Sequence, residues 1–358
     1  MNIMNSTIAY EIWLGKAIPL EPEELIFKHR AMSLSRFSFL RATFYRWVEQ
    51  VQKNQAKLMN APQTLIVGDI HIENFGTWRD EEGRLVWGVN DFDEACRGPY
   101  INDLLRLACS ALVARKEDSL ILKPTAICEA ILRGYKKSIE SGGMPLVLAE
   151  GYPSLRKLAE HSLKNPVAYW RKLTILPDVE TTDDIRNMLR SALPDGNLDF
   201  RTVHRNAGLG SLGRPRVMAI AKWNGGWIAR EVKAIATSAW EWQNGKAAAP
   251  QTLYEMALNK SVRSQDFHVQ VSDGWVTRRL APDCSRIELT KLPTAGDEEE
   301  ILVHMGWETA NIHLADEKSR EAILKDLKNR KSGWLLKAAK EMQVLVESDF
   351  AEFARHQK

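Results

Sequence analysis

Of 358 residues only four are cysteine, Cys96, Cys109, Cys128 and Cys284, and no two form a Cys-x-x-Cys pair. That scatter excludes a disulfide frame and a zinc site, and reads as buried thiols in a reducing compartment. No run approaches the roughly 18 apolar residues that a membrane span needs. The opening "MNIMNSTIAYEIWLGKAIPLEPEEL" lacks a basic start followed by an apolar stretch, so it does not read as a signal peptide, and a cytoplasmic location is expected. Neither sign of charge dominates: 49 Lys and Arg face 46 Asp and Glu, a net +3. Nothing therefore marks a strong polyanion binder, and neither nucleic acid nor membrane is an expected partner. Internal repeats and low-complexity tracts are missing too. What is there is an ordinary globular composition, 44% hydrophobic and 27% charged, long enough for one large domain or two lobes.

The chain divides into a helical part, a sheet-rich part and a second helical part. Residues 22–58 read as helical, with Phe37, Leu40, Phe44, Trp47 and Val51 on one apolar face. "TLIVGD" reads as a strand. After a turn at Glu82-Gly83, Arg84 to Asn90 reads as the next, and its neighbour in space. Asn102-Asp103 opens a helix, and 119–141 gives another. Residues 145–199 are punctuated by Pro145, Pro153, Pro166, Pro177 and Pro194. Strands then dominate, with hairpin signals at Asn224-Gly225-Gly226 and Asp273-Gly274, around a helix at "TLYEMALNKSV". From Asp297 the chain is helical to the end. The expected units are 1–198, 199–290 and 291–358.

"VGDIHIENFG" places Asp69, His71, Glu73 and Asn74 within a few residues, straight after an apolar run. Asp91 and Asp93 follow at the end of the next strand, where they can converge on Asp69 and Asn74. Two carboxylates and an amide oxygen make an oxygen-only ligand set, which suits Mg²⁺ beside a substrate's phosphates. The remaining Asp is free to act as a base. A satisfied turn would account for "GDIH" alone, but not for its spacing from "NDFD" and Asp103. "GDIH" also resembles the opening of metallophosphoesterases, yet their G-D-x-x-D and G-N-H-[DE] segments are missing.

Asp, then Asn at plus five, then Asp-Phe-x after a short hairpin is the phosphotransfer layout of kinases. "GDIHIEN" resembles the H-G-D-x-H-x-x-N catalytic loop of aminoglycoside and choline phosphotransferases, with Val67 in place of the first His. "NDFDEACRGPYINDLLRLA" resembles the segment that follows in that branch. The resemblance implies Asp69 as catalytic base, Asn74 and Asp91 as Mg²⁺ ligands with Asp93 as an extra one, and His71 and Asp103 as braces of the loop.

Gly208, Gly210 and Gly213 form a G-x-G-x-x-G that a strand, not a helix, follows. Strand, Gly-rich turn, strand is the layout of the kinase loop that covers phosphates, where glycines let the backbone approach phosphate oxygens. Ser211 lies inside it, and Pro215 stands where a Val is usual. "GWIAREVKA" is similar to the kinase strand whose Lys grips the phosphates, which makes Lys233 that Lys. Glu255 is the expected helical partner, with Glu241 as the alternative.

In ordinary kinases the Gly-rich loop and Lys come first; here they come last. The fold class implied is α+β, a protein kinase-like two-lobe fold that is circularly permuted, which exposed termini make physically tolerable. This arrangement is similar to the DUF2252 family of bacterial kinase-like proteins. "HRAMSLSRFSFLRA", "GDIHIENFG", "NDFDEACRGPYINDLLRLA", "GLGSLG", "REVKA", "VTRRL" and "MGWETANIHLA" carry the resemblance, and 145–195 matches it poorly. The activity implied is ATP- and Mg²⁺-dependent phosphoryl transfer to the hydroxyl of a small-molecule acceptor. A nucleotide-binding pseudokinase and an AMP transferase are the alternatives. The twelve Trp read mainly as packing residues. Arg36, Arg41 and Arg46 read as a solvated or ion-paired stripe, Arg278 and Arg279 as surface charges or phosphate contacts, and His304 and His313 as too far apart to be paired ligands.

Overall fold

In a computed structural model of the chain, residues 1–117, 119–206, 208–245, 250–287 and 294–357 are described. With 53% of residues in helix and 14% in strand, the protein is the α+β mixture that the patterning predicts. The strands are β1 (Gln63–Ile66), β2 (Phe75–Arg79), β3 (Leu85–Val89), β4 (Cys96–Pro99), β5 (Arg201–Val203), β6 (Arg216–Trp223), β7 (Gly226–Ala234), β8 (Gln270–Ser272) and β9 (Trp275–Leu280). They form two small pairs, β1–β4 and β2–β3, and one five-stranded sheet of order β5-β6-β7-β9-β8. Every pairing is antiparallel.

One expected neighbour is corrected. The strand at "TLIV" does not lie beside Arg84 to Asn90: β1 pairs with β4, and β3 pairs with β2. The short loop after Arg79 closes β2 onto β3 locally, which costs less entropy than a distant pairing. Asp80 fixes that turn, since its Oδ1 accepts from the Arg84 N–H at 2.9 Å.

The helical stretch after residue 22 is three helices, Pro22–Met32, Arg36–Ala42 and Phe44–Asn54. Ser35 separates the first two because its Oγ caps the second, accepting from Ser38 N at 3.0 Å. Arg46 does not face solvent; it is buried and pairs with Asp349 at 2.8 Å and Glu49 at 2.7 Å. At the centre of the core lies the helix Ile101–Lys116, buried on all sides from Ile101 to Ala114. A helix so enclosed is normally apolar all round. This one carries Asn102, Asp103, Arg106 and Ser110, and each has a partner.

The five-stranded sheet follows the turn chemistry in the sequence. Asn224 and Asp273 adopt positive φ of 45° and 50°, each followed by a glycine, as two-residue hairpin turns require. The sheet is covered on both faces. Met218, Ile220 and Ala229 pack with Leu173 of helix Pro166–Thr174. Ala219, Ala221 and Val232 pack with Leu189 of helix Asp183–Ser191. The sheet's packing partners therefore begin before residue 199. The expected boundary after residue 290 lies outside the described residues. Among those described, no helix is long and apolar enough to cross a membrane. Cys96, Cys109 and Cys128 are buried free thiols, and Cys284 is half-buried.

The C-terminal helices return to the central one. Helix Ala295–His313 crosses helix Pro124–Ser141 at two glycines. A Cβ on Gly306 would lie 2.0 Å from the Ile131 carbonyl oxygen, and one on Gly134 would lie 1.8 Å from that of Val303. Neither backbone can give way without displacing its helix. Gly306→Ala is therefore expected to destabilise the protein by about 3 kcal/mol, read from the urea midpoint. A loss within experimental error would mean that the crossing is looser than described.

Candidate functional site

The loop after β1 is set by the central helix. Asp103, Arg106 and Ser110 lie three and four residues apart and so share one face of that helix. Asp103 accepts from the backbone N–H of Val67 at 2.7 Å and of Gly68 at 3.0 Å. Arg106 donates from Nε to Asp69 Oδ1 at 3.0 Å, and its Nη2 reaches the same oxygen and the Leu40 carbonyl. Ser110 Oγ accepts from Ile72 N at 3.1 Å. Gly68 allows the turn: its φ is +77°, and a Cβ there would meet the Glu94 carbonyl oxygen at 2.3 Å.

His313 backs this face from the opposite helix. Its Nε2 lies 3.2 Å from Asp103 Oδ2 and its Nδ1 lies 2.8 Å from the Tyr135 hydroxyl. His71 serves the loop alone. Its Nδ1 accepts from Glu73 N at 3.2 Å, and its carbonyl accepts from Asn74 N at 2.8 Å. Burial, with Arg41 and Arg106 nearby, holds the ring well below its usual pKa, so it is neutral.

Asn74 joins this loop to the next. Its Nδ2 donates to the backbone carbonyls of Asp69, at 3.1 Å, and Asp91, at 3.2 Å, while its Oδ1 accepts no hydrogen bond among the described residues. Lys233, on β7 and almost wholly buried, reaches over from the sheet. Its Nζ lies 2.6 Å from Asp93 Oδ2 and 3.4 Å from Asp91 Oδ1. Burial pushes the Asp91 carboxyl upward, but Lys233 and Arg278 outweigh it and hold the group below the carboxylate range. Asp93 moves the other way, raised by burial and by Asp91 beside it. Asp93 Oδ1 is buried with no hydrogen-bond partner among the described residues. Arg214 Nη2 bonds Glu94 Oε1 at 2.8 Å, next in the chain.

The expected partner of Lys233 is corrected. Glu255 accepts from Gln251 within its own helix at 3.0 Å. Lys233 is held by Asp93 and Asp91 instead, because the C-terminal end of β7 brings its side chain to the loop after β3.

These groups line a cavity of about 490 Å³. Asp69, His71, Asn74, Asp91, Asp93, Gly208, Gly210 and Ser211 all line it; Gly213, Lys233 and Glu255 do not. Burial pushes the Asp69 carboxyl up to about 7, against the pull of Arg106. The Gly-rich segment is not an open hairpin. Leu209–Ser211 form a 3-10 turn that packs down on the site, and Gly213 is pinned, its N–H donating to Glu24 Oε2 at 2.9 Å. A Cβ on Gly210 would sit 3.3 Å from Asp69 Oδ2. Lys28 Nζ reaches the Gly210 carbonyl at 3.4 Å, and burial lowers its pKa to about 8.

Sequence reasoning does not find Arg106 or Lys28, and it weighs His313 only as a metal ligand. Arg106 carries a signal, a lone guanidinium inside the apolar run "LLRLACSALVA". Lys28 carries none, since "FKHR" reads as a surface. Arg41, read from the sequence as part of a solvated or ion-paired stripe, and Arg278, left undecided by it, both line the cavity.

Among the described residues, no group of three or more His, Cys, Asp and Glu side chains is placed to hold a metal ion. The oxygens that a cation could use are those of Asp91 and Asn74, with the unpartnered Oδ1 of Asp93 beside them. That set is compatible with Mg²⁺, whose shell is normally completed by water and phosphate.

Residues 20–164 match the model of the family described as "Uncharacterized protein conserved in bacteria (DUF2252)". The match supports the family resemblance read from these residues and contains Asp69, Asn74, Asp91, Asp93 and Asp103. It stops short of the five-stranded sheet, so the Gly-rich loop and Lys233 lie beyond it. It also runs through 145–164, part of the stretch whose motifs resemble the family least. No curated protein and no solved structure matches the chain.

The brace on the loop is testable by stability. An Asn at position 103 would turn an amide N–H₂ toward one of two backbone N–H donors. Asp103→Asn is expected to cost about 3 kcal/mol, measured by denaturant unfolding. An unchanged midpoint would show that the loop does not depend on that carboxylate.

Proposed function

We propose that the protein is an ATP- and Mg²⁺-dependent phosphotransferase with a circularly permuted, two-lobed, kinase-like fold, acting on a small-molecule hydroxyl. One observation carries the reading. Lys233 lies some 140 residues beyond Asp91 and Asp93, yet its ammonium is paired with both. The residues that the kinase layout requires in one place are adjacent, despite their inverted order along the chain. The cavity beside them is rich in Lys and Arg, which suits phosphate.

In this reading Lys233 and the Gly-rich loop hold the nucleotide's phosphates. Asn74 and Asp91, with Asp93, hold Mg²⁺, which when bound offsets charge on the phosphoryl oxygens. Asp69 takes the proton of the acceptor hydroxyl as its oxygen bonds to the terminal phosphorus and the bond to the departing ADP breaks. Arg106 fixes Oδ1 of Asp69, so Oδ2 is the oxygen that receives the proton. The closeness of Gly210 to that Oδ2 favours a second reading, a nucleotide-binding protein that signals by conformation. In that case the loop stays down.

Thermal shift with MgATP separates these readings from no nucleotide function at all. The wild type is expected to be stabilised, and Asp91→Asn and Lys233→Met are expected to lose that stabilisation. If no shift occurs in the wild type, the reading fails. Asp69→Asn should still bind but turn over at least about 100-fold more slowly on any hydroxyl metabolite that supports ADP release. Binding with no turnover on any acceptor selects the second reading. Because Asp69 acts as its carboxylate, turnover should rise with pH and level off above about 7. Intact mass of the product distinguishes phosphoryl from AMP addition.

A further inference from the structure

The cavity has a corner that the proposed chemistry does not use. It lies where helix Pro166–Thr174, and the turn before it, meet the face of the sheet that carries Glu231 and Lys233. Lys164, Lys172, Arg205, Arg278 and Arg286 are among the cavity's lining residues, and Arg205, Arg278 and Arg286 lie near enough to Lys164 to act on its charge. Their carboxylate partners are shared to the point of deficit. Glu231, fully buried, is divided among Arg205 at 3.1 Å, Arg216 at 3.3 Å and Arg278 at 2.6 Å. Glu73 is divided between Arg41 at 2.6 Å and Arg286 at 2.9 Å.

Neither lysine has a carboxylate partner among the described residues. Lys164 Nζ donates to the Cys284 carbonyl at 2.8 Å and lies 5.2 Å from the centre of the Tyr169 ring. Lys172 is exposed at the rim, with no ion-pair partner among the described residues. Burial and the nearby Arg205, Arg286 and Arg278 all work against the charge on Lys164. Cations crowded in this way repel one another, and one wall of a partly desolvated cavity holds them in excess. Such an arrangement is stable when a multiply charged anion sits among them, and guanidinium forks beside ammonium groups are the usual phosphate partners.

We infer that this corner is a binding site for a phosphate-bearing anion, separate from the grip of Lys233, and that the anion's owner is the acceptor. The acceptor is thus a phosphorylated small molecule. The binding itself rests only on this geometry; calling its owner the acceptor rests on the proposed phosphotransfer. The segment around 164–172 then supplies the anchor for the second substrate.

The test is calorimetric titration of the full chain with inorganic phosphate, and separately with MgADP. Wild type is expected to bind both. Lys164→Met/Lys172→Met should lose roughly tenfold or more in phosphate affinity and keep MgADP affinity nearly unchanged. Lys233→Met should do the reverse. Lys172→Glu alone, at an exposed position, carries the same test should the double variant fold poorly, and its phosphate affinity should also fall. Three results would overturn the inference: no phosphate binding by wild type, phosphate binding that these changes leave untouched, or a parallel loss of phosphate and MgADP. Phosphate binding that follows Lys164 and Lys172 while MgADP fails to bind would instead overturn the nucleotide reading and leave this site standing.

Discussion

A carboxylate with no access to water organises this molecule. Asp103 points from the buried first turn of the central helix at the two backbone N–H groups that begin the loop after β1. Burying a charge is costly unless its hydrogen bonds are filled. Here two amides and His313 fill them, so the loop can be built only where those amides meet that carboxylate. Arg106 and Ser110, one turn and two turns along, then fix Asp69 and Ile72. The helix acts as a ruler, and its spacing becomes the spacing of the loop.

Much of this was legible because it rests on local chemistry. Asn224-Gly225 and Asp273-Gly274 reveal their turns through backbone conformations that few residues accept. The long helices reveal themselves by period. Asp69, Asn74, Asp91 and Lys233 could be nominated because their types and order carry chemical meaning. What was not legible depends on distant partners. β4 is "CRGP", four residues with a glycine and a proline, and nothing in it declares a strand; it exists because β1 lies alongside. Arg106 stands out as a lone guanidinium in an apolar run, but the sequence does not say which carboxylate it serves. The kinase layout puts the partner of Lys233 on a helix, whereas its partners are the neighbouring pair Asp93 and Asp91.

Charge shows the same limit. A net of +3 on 358 residues gives no hint of a cationic cavity. The excess is local: acids and bases balance over the whole chain, while buried Glu231 and half-buried Glu73 are each asked to serve more than one guanidinium group. Function read from totals misses this. Function read from who shares which partner does not.

The dependence of the loop on His313 bears on how the molecule comes into being. The ribosome makes Val67 to Asn74 early. The ring that completes the pocket of Asp103 arrives almost two hundred and fifty residues later, on a helix that must slide against Pro124–Ser141 at a contact only glycines permit. A growing chain therefore carries its most reactive-looking segment for most of synthesis without the means to set it. The setting of the loop is therefore completed late, and an unfinished copy carries Val67 to Asn74 without the ring that closes the pocket of Asp103.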